Sequence, residues 1–564
     1  MSMAEHIPLM VGVTGHRDLV PAEEPAIRRA VAEFLSQLKA DFPDLPIVVM
    51  TGLAQGADML VAEQAERSGC EVVHVLPMPR ALYEADFSAE ELVGFNDMCQ
   101  RHETIELPLL EESDAESPKR DLQYVRLGAF LAAHSHIMLA LWDGKYNQAS
   151  GGTSQVIEFH QRDISTLAED QIRSRLDIAD DESDLVYHIV CSRVSEGGPA
   201  SGLTAGTGSW YTRDDRSPRV SELPQRYVSV FRSIAAFNAD QNRLPAGTET
   251  YRLEPEKVGG NSIRSCATIQ SVFGVSDALA SMFQRRVVWA LRATLIATVL
   301  AGLSFIIYAD FADQENMIWG YFVWVLVALG AYLFAQRGDW QRRYLDYRVL
   351  AEGLRVQYYW AMAGVEMRNP SRYSHDSFFQ GRDLELGWIR NVMRFTGLHA
   401  DAKTPPNEER LNAAIEGWVG DTASGQLGYY HARADDMLTK HNRTNRVISV
   451  AFALGLAAAA VLAFGGDAVQ GLANNGLVAL MGLLPIIAAA RQNYAHRQAE
   501  RELAAQYAHM LEVFGSAHRL LNASDDPLVK QEILRDLGEA ALNENAQWVL
   551  RQRERPLPGR DPVG

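Results

Sequence analysis

Between residues 8 and 192 the chain alternates short, continuously apolar runs with longer stretches whose apolar positions recur every three or four residues. The runs PLMVGV (8–13), PIVVMT (46–51), EVVHVLP (71–77), HIMLALW (136–142) and LVYHIVC (185–191) have the length and apolar content of strands. The stretches at about 22–40, 57–68, 120–134 and 153–171 carry a helical period. Strands apolar on both faces, alternating with amphipathic helices, predict an α/β N-terminal domain: a parallel sheet with helices flanking it. In such a sheet a ligand crevice lies outside the carboxyl ends of the strands.

Beyond about residue 280 the pattern changes. Four apolar runs are long enough, or nearly so, to cross the ~30 Å of a bilayer core. They are ATLIATVLAGLSFIIYA (293–309), MIWGYFVWVLVALGAYLFA (317–335), VISVAFALGLAAAAVLAFGG (447–466) and GLVALMGLLPIIAAA (476–490), the last short and interrupted by Pro485. They fall into two close pairs, which predicts an all-α C-terminal half with four transmembrane helices in two hairpins. The link inside the first pair, DFADQEN, has acids and no Lys or Arg, and the link inside the second has only Asp467 as a charge. The opposite ends are basic: Arg285 and Arg286; Arg337, Arg342 and Arg343; Lys440, Arg443 and Arg446; Arg491 and Arg497. By the positive-inside rule the links face outward, and the N-terminal domain, central segment and C-terminus are cytoplasmic at the inner membrane.

Composition narrows the partners. A net charge of −18 argues against DNA or RNA, whose phosphates need clustered Lys and Arg. The four cysteines (Cys70, Cys99, Cys191, Cys266) are scattered, with no CxxC pair and no Cys/His cluster at metal-ligand spacing. No metal and no disulfide framework is expected, and a reducing compartment fits. The N-terminus has neither a basic n-region nor a long apolar h-region, so no signal peptide is expected.

Three glycine-bearing turns follow the expected strands. TGHRD (14–18) offers Gly15 for close approach and His16 and Arg17 for an anion. TGLAQGAD (51–58) carries Gly52, Leu53, Ala54 and Gly56, with Asp58 just inside the next helix. WDGKYNQASGGTSQVIEF (142–159) carries Lys145 and then Gly151, Gly152 and Thr153 ahead of a helix bearing Glu158. A strand–glycine loop–helix junction aims backbone N–H groups at one spot, which suits a phosphate-bearing ligand; an ordinary βα turn uses the same glycines. Trp142 and Tyr146 are placed to stack on a base, and Trp142, ending a strand, equally suits the core.

TGLAQGAD resembles the SGLAxGID signature of the DNA-processing protein A family, and GGTSQVIE resembles the GGxGTxxE signature of the lysine-decarboxylase-like phosphoribohydrolases that release cytokinin bases. Both belong to the SLOG superfamily of Rossmann-like nucleotide-binding domains, which also includes the N-terminal region of TRPM channels. The resemblance implies that Gly15, His16, Arg17, Gly52, Gly56, Asp58, Gly151, Gly152, Thr153 and Glu158 line a site for a nucleotide or an ADP-ribose-like ligand. Where the hydrolases have Gly-Thr this chain has Ser154-Gln155, and their MxxRK arginine has no counterpart. The resemblance therefore favours nucleotide binding over hydrolysis, with Glu158 the catalytic candidate if hydrolysis occurs.

The two hairpins are similar to SLATT modules, two-helix membrane units associated with SLOG domains and nucleotide second-messenger synthases. That similarity implies an oligomeric effector of prokaryotic antiviral defence: a nucleotide second messenger binds the head and the membrane part breaches the bilayer. A membrane-tethered nucleotide hydrolase and a constitutive scaffold are the competing readings. A faint repeat accompanies the hairpins, because each is followed by a Tyr/Arg-rich stretch with an R-x-L-A step, at Arg348 and Arg501. Thr294, Thr298 and Gly302 share one helical face, and ALGLAAAA (453–460) offers more small residues; with no ionisable residue mid-span, both favour helix packing over a pore lining. The expected organisation is thus 1–192 nucleotide-binding domain, 193–284 Gly/Ser-rich loop and connecting helices, 285–336 first hairpin, 337–446 cytoplasmic helical segment, 447–491 second hairpin, 492–553 C-terminal helices and 554–564 tail. Residues 192–219 read as a mobile loop, serving as a lid or a spacer.

Overall fold

A computed structural model describes residues 6–109, 120–146, 151–161, 185–212, 219–245, 247–253, 264–310, 315–367, 373–378, 386–402, 408–464 and 472–553. Residues 162–171 of the expected fourth helix, link residues 311–314 and 465–470, and the tail 554–564 lie outside the described residues.

The apolar runs become strands close to where hydropathy places them. β1 (Leu9–Gly15), β2 (Ile47–Thr51), β3 (Glu71–Leu76), β5 (Ile137–Trp142) and β6 (Val186–Val190) join β4 (Glu103–Glu106) and β7 (Gly208–Tyr211) in one seven-stranded sheet, ordered β4-β3-β2-β1-β5-β6-β7. All neighbours pair parallel except β6 and β7, which run antiparallel. The two edge strands have no apolar run to announce them: ETIE buries one side chain, Ile105, and GSWY buries Trp210. Every β5 residue is buried, and a buried Val, Leu or Ile side chain stabilises by about 1.5–3 kcal/mol.

The flanking helices are α1 (Glu24–Asp41), α2 (Ala57–Arg67), the single turn α3 (Arg80–Tyr83), α4 (Ala89–Arg101), α5 (Arg120–His134) and α6 (Thr153–Gln161). α1 buries Ile27, Ala30, Val31, Phe34, Leu35 and Leu38, the three-to-four spacing of one face. α4 starts at a capping box, in which Ser88 and Glu91 each bond the other's backbone N–H. The connections β1 to β4 progress to one side of β1, whereas β5 lies on its other side, so the order reverses between β1 and β5.

The chain divides into two compact units. The first comprises Met1–Ser276, Val349–Ala414 and Leu534–Leu550, and the second Asp277–Arg348, Ile415–Ile533 and Arg551–Gly564. The sheet's unit thus also holds α7 (Gln225–Gln241), most of the later α10 (Trp340–Ala363), α11 (Gly387–Asp401) and α12 (Glu408–Ala414). The Asn238 side chain bonds both the N–H and the carbonyl of Ile7, and Trp360 Nε1 donates to the Leu534 carbonyl at 2.9 Å.

Four stretches are long and apolar enough to cross a membrane: Ala267–Ala309, Met317–Arg337, Gly425–Phe464 and Asn475–Ala523. They correspond to α8 (Ala267–Asp310), α9 (Met317–Arg337), α13 (Gly425–Phe464) and α14 (Leu472–Arg497), the last continuing into α15 (Glu500–Ala523) past a break at Ala499; α16 (Pro527–Arg553) ends the described chain. Within the second unit the small residues serve close packing. A side chain at Gly302 would meet Ile486 at 2.9 Å, one at Gly482 would meet Ile306 at 3.1 Å, and one at Gly455 would meet Pro485 at 3.6 Å. The Thr294 and Thr298 hydroxyls bond back to carbonyls one turn earlier. Both α9 and α14 end before a single left-handed residue, Asp339 (φ 46°) and Ala499 (φ 49°), after which a new helix starts. The R-x-L-A step does not follow that symmetry: it falls well inside α10 but at the very start of α15.

Candidate functional site

The reversal between β1 and β5 is the switch point at which an α/β sheet forms its crevice. The three glycine turns meet there, and backbone and side-chain contacts join them. Gly56 has φ +83°, and a Cβ on it would lie 2.4 Å from the Arg17 carbonyl oxygen, so only glycine lets the second turn lie against the first. Gly15 is wedged between Ala57 and Leu141, where a Cβ would come within 2.4 Å of Ala57. Arg17 stacks on Tyr124 of α5, 5.2 Å from the ring centroid, and Tyr124 Cβ lies 2.7 Å from where a side chain on Gly151 would start. Tyr124 therefore bridges the first turn to the third.

His16 and Asp143, the first residues beyond β1 and β5, are both buried and lie 3.2 Å apart (Nε2 to Oδ1). The Asp143 backbone N–H donates to His16 Nε2 at 3.2 Å. Burial pushes the imidazole below its ordinary pKa, with the Asp143 carboxylate opposing. Asp143 Oδ1 accepts the Lys145 N–H at 3.0 Å, while Oδ2 is buried with no partner among the described residues. A buried carboxylate oxygen left open at a crevice calls for a donor, such as a sugar hydroxyl. Cys191 is a poor nucleophile, because burial, then Asp143, Glu23 and Asp18, push its thiol up to about 12.

The second turn is braced from inside. Leu53 is fully buried at φ +54°, a conformation rarely held by a branched residue, and its N–H bonds Thr51 Oγ1 at 3.0 Å. Asp58 accepts the Ala54 N–H at 3.4 Å, and burial pushes its carboxyl up to about 7 against the pull of that bond and of Arg17. The Ala57 N–H, first of α2, donates to the His16 carbonyl at 3.0 Å. Gly52, Gly56, Leu53, Ala54 and Asp58 thus shape the wall, and the N-terminus of α2 spends a donor on the neighbouring turn.

At α6 the Gly151 N–H donates to Gln155 Oε1 at 2.6 Å, so the residue that departs from the Gly-Thr pattern satisfies a donor at the helix entrance. Gly152 and Thr153 start α6, and Glu158 lies half-buried on the same partly exposed face as Gln155. Lys145 Nζ reaches the Glu196 carbonyl at 3.2 Å. Trp142 is in the core, 1% exposed, beside Ile157 and His188, and its Nε1 donates to the Lys145 carbonyl; Tyr146 is the exposed aromatic of this turn.

Sequence reasoning missed Asp143, Tyr124 and Asp18. Asp143 had a signal, a lone acid directly after a buried strand; the other two had none. Asp18 accepts from Arg193 Nε at 2.9 Å and from Ser195 N at 3.2 Å, and Ser192 bonds Glu23, so residues 192–197 are tied to the loop after β1 instead of being a mobile lid. A side chain at Gly144 would strike Leu203 at 2.4 Å, which places residues 200–203 over the third turn. Compared with models of known protein families and with curated protein sequences, the chain matches none of them. The fold and the site define a Rossmann-like sheet domain with a crevice at its switch point, joined in one chain to four span-capable helices.

Proposed function

We propose that the chain is a membrane-anchored receptor for a nucleotide-derived ligand, which it binds at the β1–β5 switch point, and that binding drives an oligomeric membrane effector of antiviral defence. The observation that carries the reading is the buried His16–Asp143 pair, with one carboxylate oxygen unpartnered, where three glycine turns converge. Arg17 and Lys145 supply cationic groups for phosphates on either side of it, and Asp143 supplies an acceptor for a ribose hydroxyl. The basic flanks of the four apolar helices support hairpin links facing outward and a cytoplasmic head. A ligand acts on the membrane part only by binding one arrangement of heads more tightly than another, so a homo-oligomer that changes order on binding is part of the proposal.

Titration calorimetry of the full chain in detergent, with ADP-ribose and adenine nucleotides as probes, tests the site. Gly152→Asp puts a carboxylate at the entrance of α6 and should abolish binding without unfolding the head, whereas unchanged affinity removes this turn from the site. Proteoliposomes carrying the chain should leak dye when the bound nucleotide is added, and saturating binding with no leakage and no change in assembly counts against the effector. A hydrolase is the second reading, favoured by the same His16–Asp143 pair as an acid–base couple. Turnover that falls by about 10²–10⁴-fold in Asp143→Asn or Glu158→Gln would establish it.

A further inference from the structure

His134, His375 and Asp401 come from three separate stretches of the chain and meet in one place. His134 ends α5, His375 sits in the short turn Ser374–Ser377, and Asp401 ends α11; all three belong to the first compact unit. One donor atom from each lies within 4.8 Å of the others, and both imidazoles are completely buried. Linear spacing hides the group, since His134 lies more than 200 residues before the other two.

Hydrogen bonding at the cluster does not close. His134 Nδ1 lies 2.9 Å from the Phe130 carbonyl, which can only accept, so Nδ1 carries a proton, and in the neutral ring Nε2 presents a lone pair. That lone pair faces Asp401 Oδ2 at 3.0 Å, an acceptor facing an acceptor. Among the described residues His375 has no hydrogen-bond partner at either ring nitrogen, Asp376 Oδ1 lying 3.6 Å from Nε2. A buried polar atom left unpaired is costly, and a carboxylate against an imidazole lone pair needs a cation or a proton between them. A histidine whose second nitrogen donates to a backbone carbonyl is also the usual arrangement for a metal-ligating imidazole.

We propose that His134 Nε2, one ring nitrogen of His375 and the Asp401 carboxylate bind a divalent transition-metal ion. Two imidazoles and a carboxylate suit zinc, whereas calcium and magnesium prefer all-oxygen sets. Tetrahedral ligands at Zn–N distances of about 2.0–2.1 Å stand roughly 3.3 Å apart, and His375 can rotate inward because it has no hydrogen bond to break. Around the cluster, Asp376 is engaged by Arg390 at 2.6 Å and Tyr373 stacks on His375. His134 precedes β5, so the ion lies at the end of the sheet opposite the crevice. It acts there as a structural tie, fixing the turn Ser374–Ser377 and the end of α11, which fall between the second and third apolar helices in the sequence, to α5.

The test uses the full chain purified in detergent, stripped with chelator and reloaded with Zn²⁺ or Co²⁺. The expected results are about one ion per chain by elemental analysis, a tetrahedral Co²⁺ absorption spectrum and a higher melting temperature that chelator reverses. His375→Gln and Asp401→Asn should each weaken retention by at least about 10–100-fold. His74→Gln, at another buried histidine with both ring nitrogens unpartnered, should retain the ion. A parent chain that holds no ion and melts identically with Zn²⁺ and with chelator overturns the proposal, leaving a proton between His134 and Asp401. Equal retention in His375→Gln and parent overturns it as well.

Discussion

Two helices of this chain invert the usual relation between composition and burial. α9 (MIWGYFVWVLVALGAYLFAQR) is apolar on every side and buries no residue, with Trp319 68% and Phe334 63% exposed. α11 (GWIRNVMRFTGLHAD) carries arginines, an asparagine and a threonine, yet is buried without a break from Gly387 to Leu398. The difference lies in the partners. In α11 Arg390 meets Asp376, Arg394 reaches Asn391 Oδ1 at 3.1 Å, and Thr396 bonds Gln357 Oε1 at 3.0 Å, so each of these polar groups has a reason to be inside. α9 is covered only in part, by contacts such as Phe305 on Tyr321 and Phe334 on Trp340, and leaves a broad apolar surface open, which water does not tolerate and a bilayer core does. Hydropathy therefore reports which solvent a helix faces, and only the contacts report whether it is buried.

A matched pair of tryptophans gives the largest test of that contrast. Trp388→Ala in α11 removes a side chain that is 1% exposed and packs on Phe237, and should cost about 3–5 kcal/mol in denaturant unfolding of the detergent-solubilised chain. Trp319→Ala in α9 should shift the same transition by no more than about 0.5 kcal/mol. Similar losses for both would erase the distinction. Slightly smaller is the effect of charging α9: Val327→Asp near its midpoint should penalise insertion by about 2.5–3.5 kcal/mol and deplete the chain from carbonate-washed membranes. Full retention there would mean that α9 is not in lipid.

The comparison also marks how far the sequence could be read. The five apolar strands and their helices were legible because both faces of the sheet are covered, so hydropathy and burial coincide; α5 starts and ends where its period does, at Arg120 and His134. β4 and β7 were not, because an edge strand needs only one buried side chain. The convergence of the turns at His16, Gly56 and Gly151 was legible from strand order. The roles were less so: Asp58 bonds the Ala54 N–H within its own turn, Trp142 is in the core, and Gln155, the departure from the hydrolase signature, accepts the Gly151 N–H. Little in RNVMRF signals burial, since Asp376, which engages Arg390, and the Ser135 carbonyl, which Arg394 reaches at 3.4 Å, lie outside α11. The same holds for the His134–His375–Asp401 cluster.

Within the head, two aspartates of adjoining turns sharpen the contrast between buried and bordering polar groups. Burial pushes Asp58 up to about 7, whereas an unfolded aspartate titrates near 3.9. A raised folded value means that its contribution is fully present below about pH 4 and is lost as pH rises through about 7. The loss is on the order of 3 kcal/mol. Asp58→Asn keeps an acceptor for the Ala54 N–H and removes the titration. Thermal unfolding should then find the variant close to the parent at about pH 4 and more stable at about pH 8. A difference that does not vary with pH would show that Asp58 is ionised at little cost.

Asp18 titrates the other way and should give the smallest effect. Although its own burial opposes ionisation, the Ser195 hydroxyl and N–H and the Arg193 guanidinium outweigh it and hold the carboxyl down at about 2. A depressed folded value contributes stability that is full above the unfolded value near 3.9 and disappears as pH falls through about 2. The Asp18 side chain is 30% exposed, so solvent screening reduces the gain, and Asp18→Asn should cost only about 1 kcal/mol at neutral pH, with the gap closing as pH drops below about 4. Such a small loss is better seen locally. Asp18 holds residues 193–195 against the loop after β1, so its replacement should expose Arg193, and limited trypsin digestion of the folded chain should cut after Arg193 several-fold faster. The conservative Asp18→Glu tests whether charge alone suffices: a longer carboxylate that still pairs with Arg193 should restore the slow cut only if the Ser195 N–H remains in reach. Unchanged cleavage in Asp18→Asn would mean that the segment is held by its bonds to Glu23 and by β7, and that the ion pair at the edge of the crevice is incidental to its order.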